Sequence, residues 1–267
     1  MNADLIELYR QLHQQKPGYG SSASYLEHIT ALIKARNVRS VLDFGCGKGT
    51  LLNHLRQRFP DLVVDGYDPA IPGMERIPRE QYDMVIANDV LEHLDPGNYQ
   101  QDLAAIQRLN PQWLFFWISC RPAVNLLPDG QNCHTIVQSP QWWRAALENC
   151  FPGFIEHDSQ WVENAKGWMF TMTKPLDVTG KRVAIVGNAP QAMSNTEDID
   201  SFDYVVRFNN FAVGEGFEAV GTRTDILAIP VCNRYVITDK LRRFTGNTHY
   251  VLDLATNPPS KAYKYYP

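Results

Sequence analysis

The sequence has no C-x-x-C pair, no long apolar run and no excess of basic charge. Its five cysteines, Cys46, Cys120, Cys133, Cys150 and Cys232, are scattered and odd in number. Such spacing argues against a zinc site or a disulfide frame and suits free thiols in a reducing compartment. The longest apolar stretch, Trp113 to Ile118, is far too short to span a bilayer, which takes about 20 residues. Against 25 Lys and Arg stand 29 Asp and Glu, a net charge of −4, so no electrostatic footprint for nucleic acid is present. The opening MNADLIELYRQLHQQ carries charge throughout and does not read as a secretory signal; a cytoplasmic location is expected. No internal repeat or low-complexity tract interrupts the chain.

With 267 residues, 44% of them hydrophobic, the chain has room for one large domain or two modest ones. Two amphipathic helices are expected over residues 3–15 and 24–36, separated by KPGYGSSAS. SVLDFG, LVVDGYD, YDMVIAND and WLFFWIS then read as strands, with GTLLNHLRQRF helical and VLEHL beginning another helix. Strands alternating with helices imply a parallel sheet with right-handed crossovers, an α/β fold with helices on both faces. GFIEHDSQWVE and GWMFTMTK, joined by NAK, read as a closing antiparallel hairpin. KPLDVTGK looks like a linker, so the expected domains are 1–177 and 178–267.

The sharpest local signal is VLDFGCGKGT. A strand ends at Asp43 and Phe44, and Gly45, Gly47 and Gly49 let the backbone turn tightly beneath a ligand. Asp68 sits at the end of the next strand, where a carboxylate reaches the ribose hydroxyls of a nucleoside. The dinucleotide fingerprint G-x-G-x-x-G is not met, because the third glycine comes one residue early and Thr50 fills its place. Asp43 suits an ammonium group. In order and spacing, VLDFGCGKGTLL, VDGYDP and YDMVIANDVLEHL resemble the class I S-adenosylmethionine-dependent methyltransferases over residues of about 40–175. The resemblance implies a Rossmann-like domain, S-adenosylmethionine as cofactor, and contacts from Asp43, Gly45, Gly47, Gly49, Asp68, Asn88 and Asp89.

Methyl transfer to a hydroxyl calls for alignment and for a base, and His93 and His134 are the candidates. His134 lies in SCRPAVNLLPDGQNCHTIVQSPQWW after the fourth expected strand, WLFFWIS, with Arg121, Asp129, Trp142 and Trp143. That set suits a polar ring, although the two tryptophans read equally well as core. Asp89, Glu92 and His93 fall at i, i+3 and i+4, on one face of the expected helix. The triplet resembles the E-x-x-E-H metal site of ubiquinone-pathway O-methyltransferases. V-L-E-H is also common in metal-free relatives, and no metal is expected here.

Residues 182–224 carry V-G-N, then I-D-S-x-D-x-V-x-R-x-N, then V-G-T-x-T. The order resembles the large sialyl motif of the sialyltransferases of glycosyltransferase family 29. That likeness implies a CMP-sugar donor contacted by Gly187, Asn188 and Asn209, with Arg207 structural and paired with Asp200 or Asp203. The motif's usual cysteine is Val183 here, and no H-x-x-x-x-E occurs in the chain, so the family's catalytic histidine has no counterpart. Only 87 residues follow Gly180, fewer than a full transferase domain, and a fragment of a longer protein is expected. The expected activity is methylation of a sugar or sugar phosphate in surface-polysaccharide synthesis, with a small-molecule or glycan acceptor. Two other readings fit the same residues: a small-molecule O-methyltransferase with an unrelated α/β appendage, and a non-catalytic nucleotide-binding module.

Overall fold

The computed structural model describes residues 2–21, 23–175, 177–187, 198–208, 226–229 and 250–253. It divides into two compact units, residues 1–175 and 176–267. The first unit contains α1 (Ala3–Gln15), α2 (Leu26–Ala35), β1 (Ser40–Phe44), α3 (Thr50–Arg58), β2 (Val63–Tyr67) and β3 (Met84–Asn88). There follow α4 (Tyr99–Arg108), β4 (Trp113–Ser119), α5 (Pro140–Cys150), β5 (Ile155–Val162) and β6 (Gly167–Thr173). The strand order is β2-β1-β3-β4-β6-β5. β1 to β4 pair in parallel, and β6 runs antiparallel between β4 and β5.

β3, β4 and β6 are buried along their whole length, the pattern of strands covered on both faces. Side chains alternate between two cores. Phe116, Trp143, Phe151 and Phe170 pack on one face, and Ile29, Leu52, Phe115 and Trp117 on the other. The helices begin where capping chemistry allows: Asn2 accepts from the Asp4 amide at α1, and Ser139 accepts from the Trp142 amide at α5, with Pro140 in its first turn. β1 is followed by β2 on one side and bordered by β3 on the other. This reversal of strand order opens a crevice at their carboxyl ends, where open α/β sheets bind ligands.

Two expectations are corrected. VLEHL does not begin a helix: Leu91–His93 is a single 3₁₀ turn, Leu94 is extended, and the helix starts at Tyr99. Asp89 has a left-handed backbone (φ 58°) and donates its amide to the Trp117 carbonyl, so it is bound to β4 and shares no helical face with Glu92 and His93. Trp143 is fully buried in the core and grips no ring, while Trp142 is half-exposed beside Tyr99.

The second unit holds β7 (Val183–Val186), β8 (Tyr204–Phe208), β9 (Ile226–Ile229) and β10 (Tyr250–Asp253) in a parallel sheet ordered β10-β9-β8-β7. Ala184, Val186 and Val205 form a small core. Arg207 is buried, and the nearby Asp200 carboxylate favours its charge. Asn188 and Asn209 lie outside the described residues, as does V-G-T-x-T.

All six tryptophans lie in the first unit, so their fluorescence reports on its folding alone. Phe116 is fully buried on the central strand against Phe151. Phe116→Ala is expected to destabilise this unit by about 3–5 kcal/mol, measured as a lowered denaturant midpoint in tryptophan fluorescence.

Candidate active site

β1 ends in a turn that takes a left-handed backbone three times: Gly45 at φ 78°, Gly47 at 51° and Gly49 at 75°. A side chain is excluded twice over at the first two. A Cβ on Gly45 would stand 2.5 Å from the Val90 side chain, and one on Gly47 would stand 2.3 Å from the Gly20 carbonyl oxygen. The Gly45 amide donates to the Tyr67 carbonyl at 2.7 Å and the Lys48 amide to the Gly20 carbonyl at 2.9 Å. Asp68, at the end of β2, accepts from the Gly47 amide at 3.0 Å through Oδ2 and from the Ala70 amide at 2.9 Å through Oδ1. The turn is thus stitched to the neighbouring strand and to the segment after α1.

Around this turn the structure brings Asp43, Asp68, Asn88, Asp89 and His93 onto one pocket with Gly45 and Gly47. Gly49 does not line it; its role is the turn itself. Sequence reasoning missed one wall. Tyr9 and His13 of α1, with Tyr19 and Gly20 of the following loop, also line the pocket. The Lys48 ammonium fixes that arm by donating to the carbonyls of His13, Lys16 and Pro17. Gly20 in KPGYG, held at φ 69°, was the signal available.

The pocket is strongly acidic in character. Burial, reinforced by the neighbouring Asp68, pushes the Asp43 carboxyl up to about 7. Burial raises Asp68 as well, outweighing its two amide donors, and lifts Asp89 to about 6. Two buried polar atoms of the lining, Asn88 Oδ1 and His13 Nδ1, have no hydrogen-bond partner within the protein. A pocket with clustered carboxyls and unsatisfied polar atoms fits a polar cation.

At the His93 end of the pocket, His93 Nδ1 lies 2.8 Å from the Cys133 carbonyl, and His134 Nδ1 lies 2.6 Å from the Arg121 carbonyl. The two rings stand edge to face, 4.8 Å apart, although His134 itself does not line the pocket. Burial lowers both pKa values, that of His93 to about 3. Of the other loop residues, Asp129 is engaged with Gln131 in a local turn.

Residues 16–157, just over half of the chain, match the profile of the methyltransferase domain. The chain belongs to that methyltransferase family. No curated protein matches it. Among solved structures it is similar to the 1,6-didemethyltoxoflavin N1-methyltransferase of Burkholderia thailandensis, solved with its acceptor and S-adenosylhomocysteine. The identity is 18%, over 66% of this chain and 92% of that one, with a TM-score of 0.48. It is also similar to a proposed O-methyltransferase of Nostoc punctiforme, with 16% identity, 58% of this chain covered and a TM-score of 0.45; the chain spans 57% of that protein.

Asp43 supplies a pH test. Its carboxyl is largely protonated below about pH 7 in the ligand-free protein, and a cationic cofactor binds the ionised form more tightly. Affinity is therefore expected to fall as pH drops from 8 to 6, by at most about tenfold per unit for this one proton. Calorimetry on wild type and Asp43→Asn checks it: the variant should bind more weakly at pH 8 and show a flatter profile.

Proposed function

We propose that the crevice between β1 and β3 binds S-adenosylmethionine, with Asp43 toward the cationic methionine end and Asp68 on the ribose. Gly45 and Gly47 form the floor, Gly49 completes the turn, and Asn88 and Asp89 contact the nucleoside side. The observation that carries this reading is the group of buried carboxyls around a turn that admits no Cβ, beside two polar atoms left without partners. Transfer is an in-line displacement: the acceptor oxygen forms a bond to the methyl carbon as the carbon–sulfur bond breaks, and the acceptor proton passes to a base. Both Nδ1 atoms face backbone carbonyls, so each histidine donates there and keeps a lone pair on Nε2. Burial leaves His93 weakly basic, and the proton is assigned to His134.

The acceptor is a small molecule or glycan presenting a hydroxyl, here a sugar or sugar phosphate in surface-polysaccharide synthesis within the cytoplasm. No described helix is long and apolar enough to cross a membrane. Support for a sugar comes from the second domain, taken as 178–267 and similar to the donor-nucleotide half of a sialyltransferase. β7 and β8 are adjacent and parallel, with Val186 opposite Arg207, so both strands end at the same edge of the sheet. Asn188 and Asn209 follow directly in the sequence, as a CMP-sugar site requires. Sugar transfer by this chain is not expected, because the catalytic histidine has no counterpart.

Two experiments test these readings. Asp68→Ala should lose roughly 1.5–3 kcal/mol of S-adenosylmethionine affinity, while His134→Ala should keep that affinity and lose turnover on a panel of sugar and sugar-phosphate acceptors. Unchanged affinity in the first, or lost affinity in the second, overturns the assignment of that residue. For the second domain, NMR titration with CMP should shift Asn188 and Asn209 at a Kd of roughly 1 mM, and AMP should not; equal or absent responses end the sialyltransferase reading.

A further inference from the structure

Glu92 is fully buried on the 3₁₀ turn after β3. Its Oε1 accepts from the Ser119 amide at 2.8 Å, whereas Oε2, equally buried, has no partner within the protein. A buried carboxylate oxygen without a donor is unfavourable unless the group takes up a proton or a cation. Beside it stand the two imidazoles, and potential ligand atoms of Glu92, His93 and His134 lie within 4.8 Å of one another. Each imidazole is committed through Nδ1–H to a backbone carbonyl, so its Nε2 lone pair is available. Carbonyls hold metal-ligating histidines in the same tautomer.

We propose that Glu92, His93 and His134 hold one divalent transition-metal ion, through Glu92 Oε2 and the Nε2 atom of each histidine, at the edge of the cofactor pocket. Two imidazoles and one carboxylate suit Zn²⁺ and its first-row neighbours rather than Ca²⁺ or Mg²⁺, which take oxygen ligands. Bonds of about 2.0–2.2 Å place ligand atoms roughly 3.3–4.3 Å apart. The present set, spread over up to 4.8 Å, must therefore draw together to close onto one ion. The site differs from the Asp89-Glu92-His93 triplet for which the sequence expected no metal: the ligand atoms that converge are those of Glu92, His93 and His134, and the third comes from the loop after β4. His93 lines the pocket, so open coordination positions there face the acceptor side. With Nε2 of His134 on the ion, that histidine no longer takes the acceptor proton; a metal in that place would lower the hydroxyl's pKa, and the proton would leave to solvent water as the methyl group arrives.

The test is titration of the metal-stripped full chain with Co²⁺, followed by visible absorption and by calorimetry. Wild type should bind one equivalent with nitrogen-ligand absorption bands. His134→Ala is expected to bind at least about a hundredfold more weakly, since loss of a group that merely orients a ligand already costs up to that factor. His134 is partly exposed, so this variant is chosen over one at buried Glu92, and retained S-adenosylmethionine affinity certifies its fold. No saturable binding by wild type, or equal binding by the two proteins, overturns the proposal. The cofactor assignment is read separately, in the S-adenosylmethionine titration, and stands or falls there.

Discussion

The hydrogen bond from the Gly47 amide to Asp68 is the constraint on which the rest of the site depends. It joins the turn after β1 to the end of β2 and so sets the width of the crevice at the strand ends. Holding it requires a carboxylate in a buried place, next to a second buried carboxylate at Asp43. Desolvation raises both pKa values, with repulsion by Asp68 adding to the rise at Asp43, a cost that a cationic ligand would offset. Within this architecture, the room for a cation and the electrostatic cost of leaving the carboxyls bare have one origin.

The second dependence runs through the chain before the sheet. α1 and its loop are held by hydrogen bonds at both ends of the pocket. The Tyr9 hydroxyl donates to the Cys133 carbonyl at 2.6 Å, next to the acceptor-side histidines, and Lys48 gathers carbonyls of the arm beside the glycine turn. Cofactor side and acceptor side are therefore mechanically joined by one helix, and a change at either end is felt at the other.

Much of this was legible in the sequence. β3 and β4 are apolar at nearly every position, which only a doubly covered strand tolerates, and the glycine turn announces itself by residues that no side chain could replace. The 3₁₀ turn was not legible, because i, i+3, i+4 spacing is satisfied by a helix and by the actual bend alike. What decides it is the bond from the Asp89 amide to the Trp117 carbonyl, a contact between strands that local spacing cannot contain. The two tryptophans of α5 divide by helix geometry: Trp143 shares its face with Ala146 and Leu147 and goes inward, while its neighbour is left at the surface. The arm was read as an amphipathic helix, correctly, but amphipathicity reports that one face is covered and not that the covering object is a binding pocket. Nothing local in the sequence brings His134 beside His93; the loop after β4 does so through the Cys133 and Arg121 carbonyls.

The Lys48 clamp also bears on tempo. An arm that forms one wall of the pocket, pinned by a single ammonium to several carbonyls, is a latch whose release time limits how soon spent cofactor departs. The clamp's acceptors are backbone carbonyls, which carry no titratable proton, so they stay as they are while the carboxyls beneath change state.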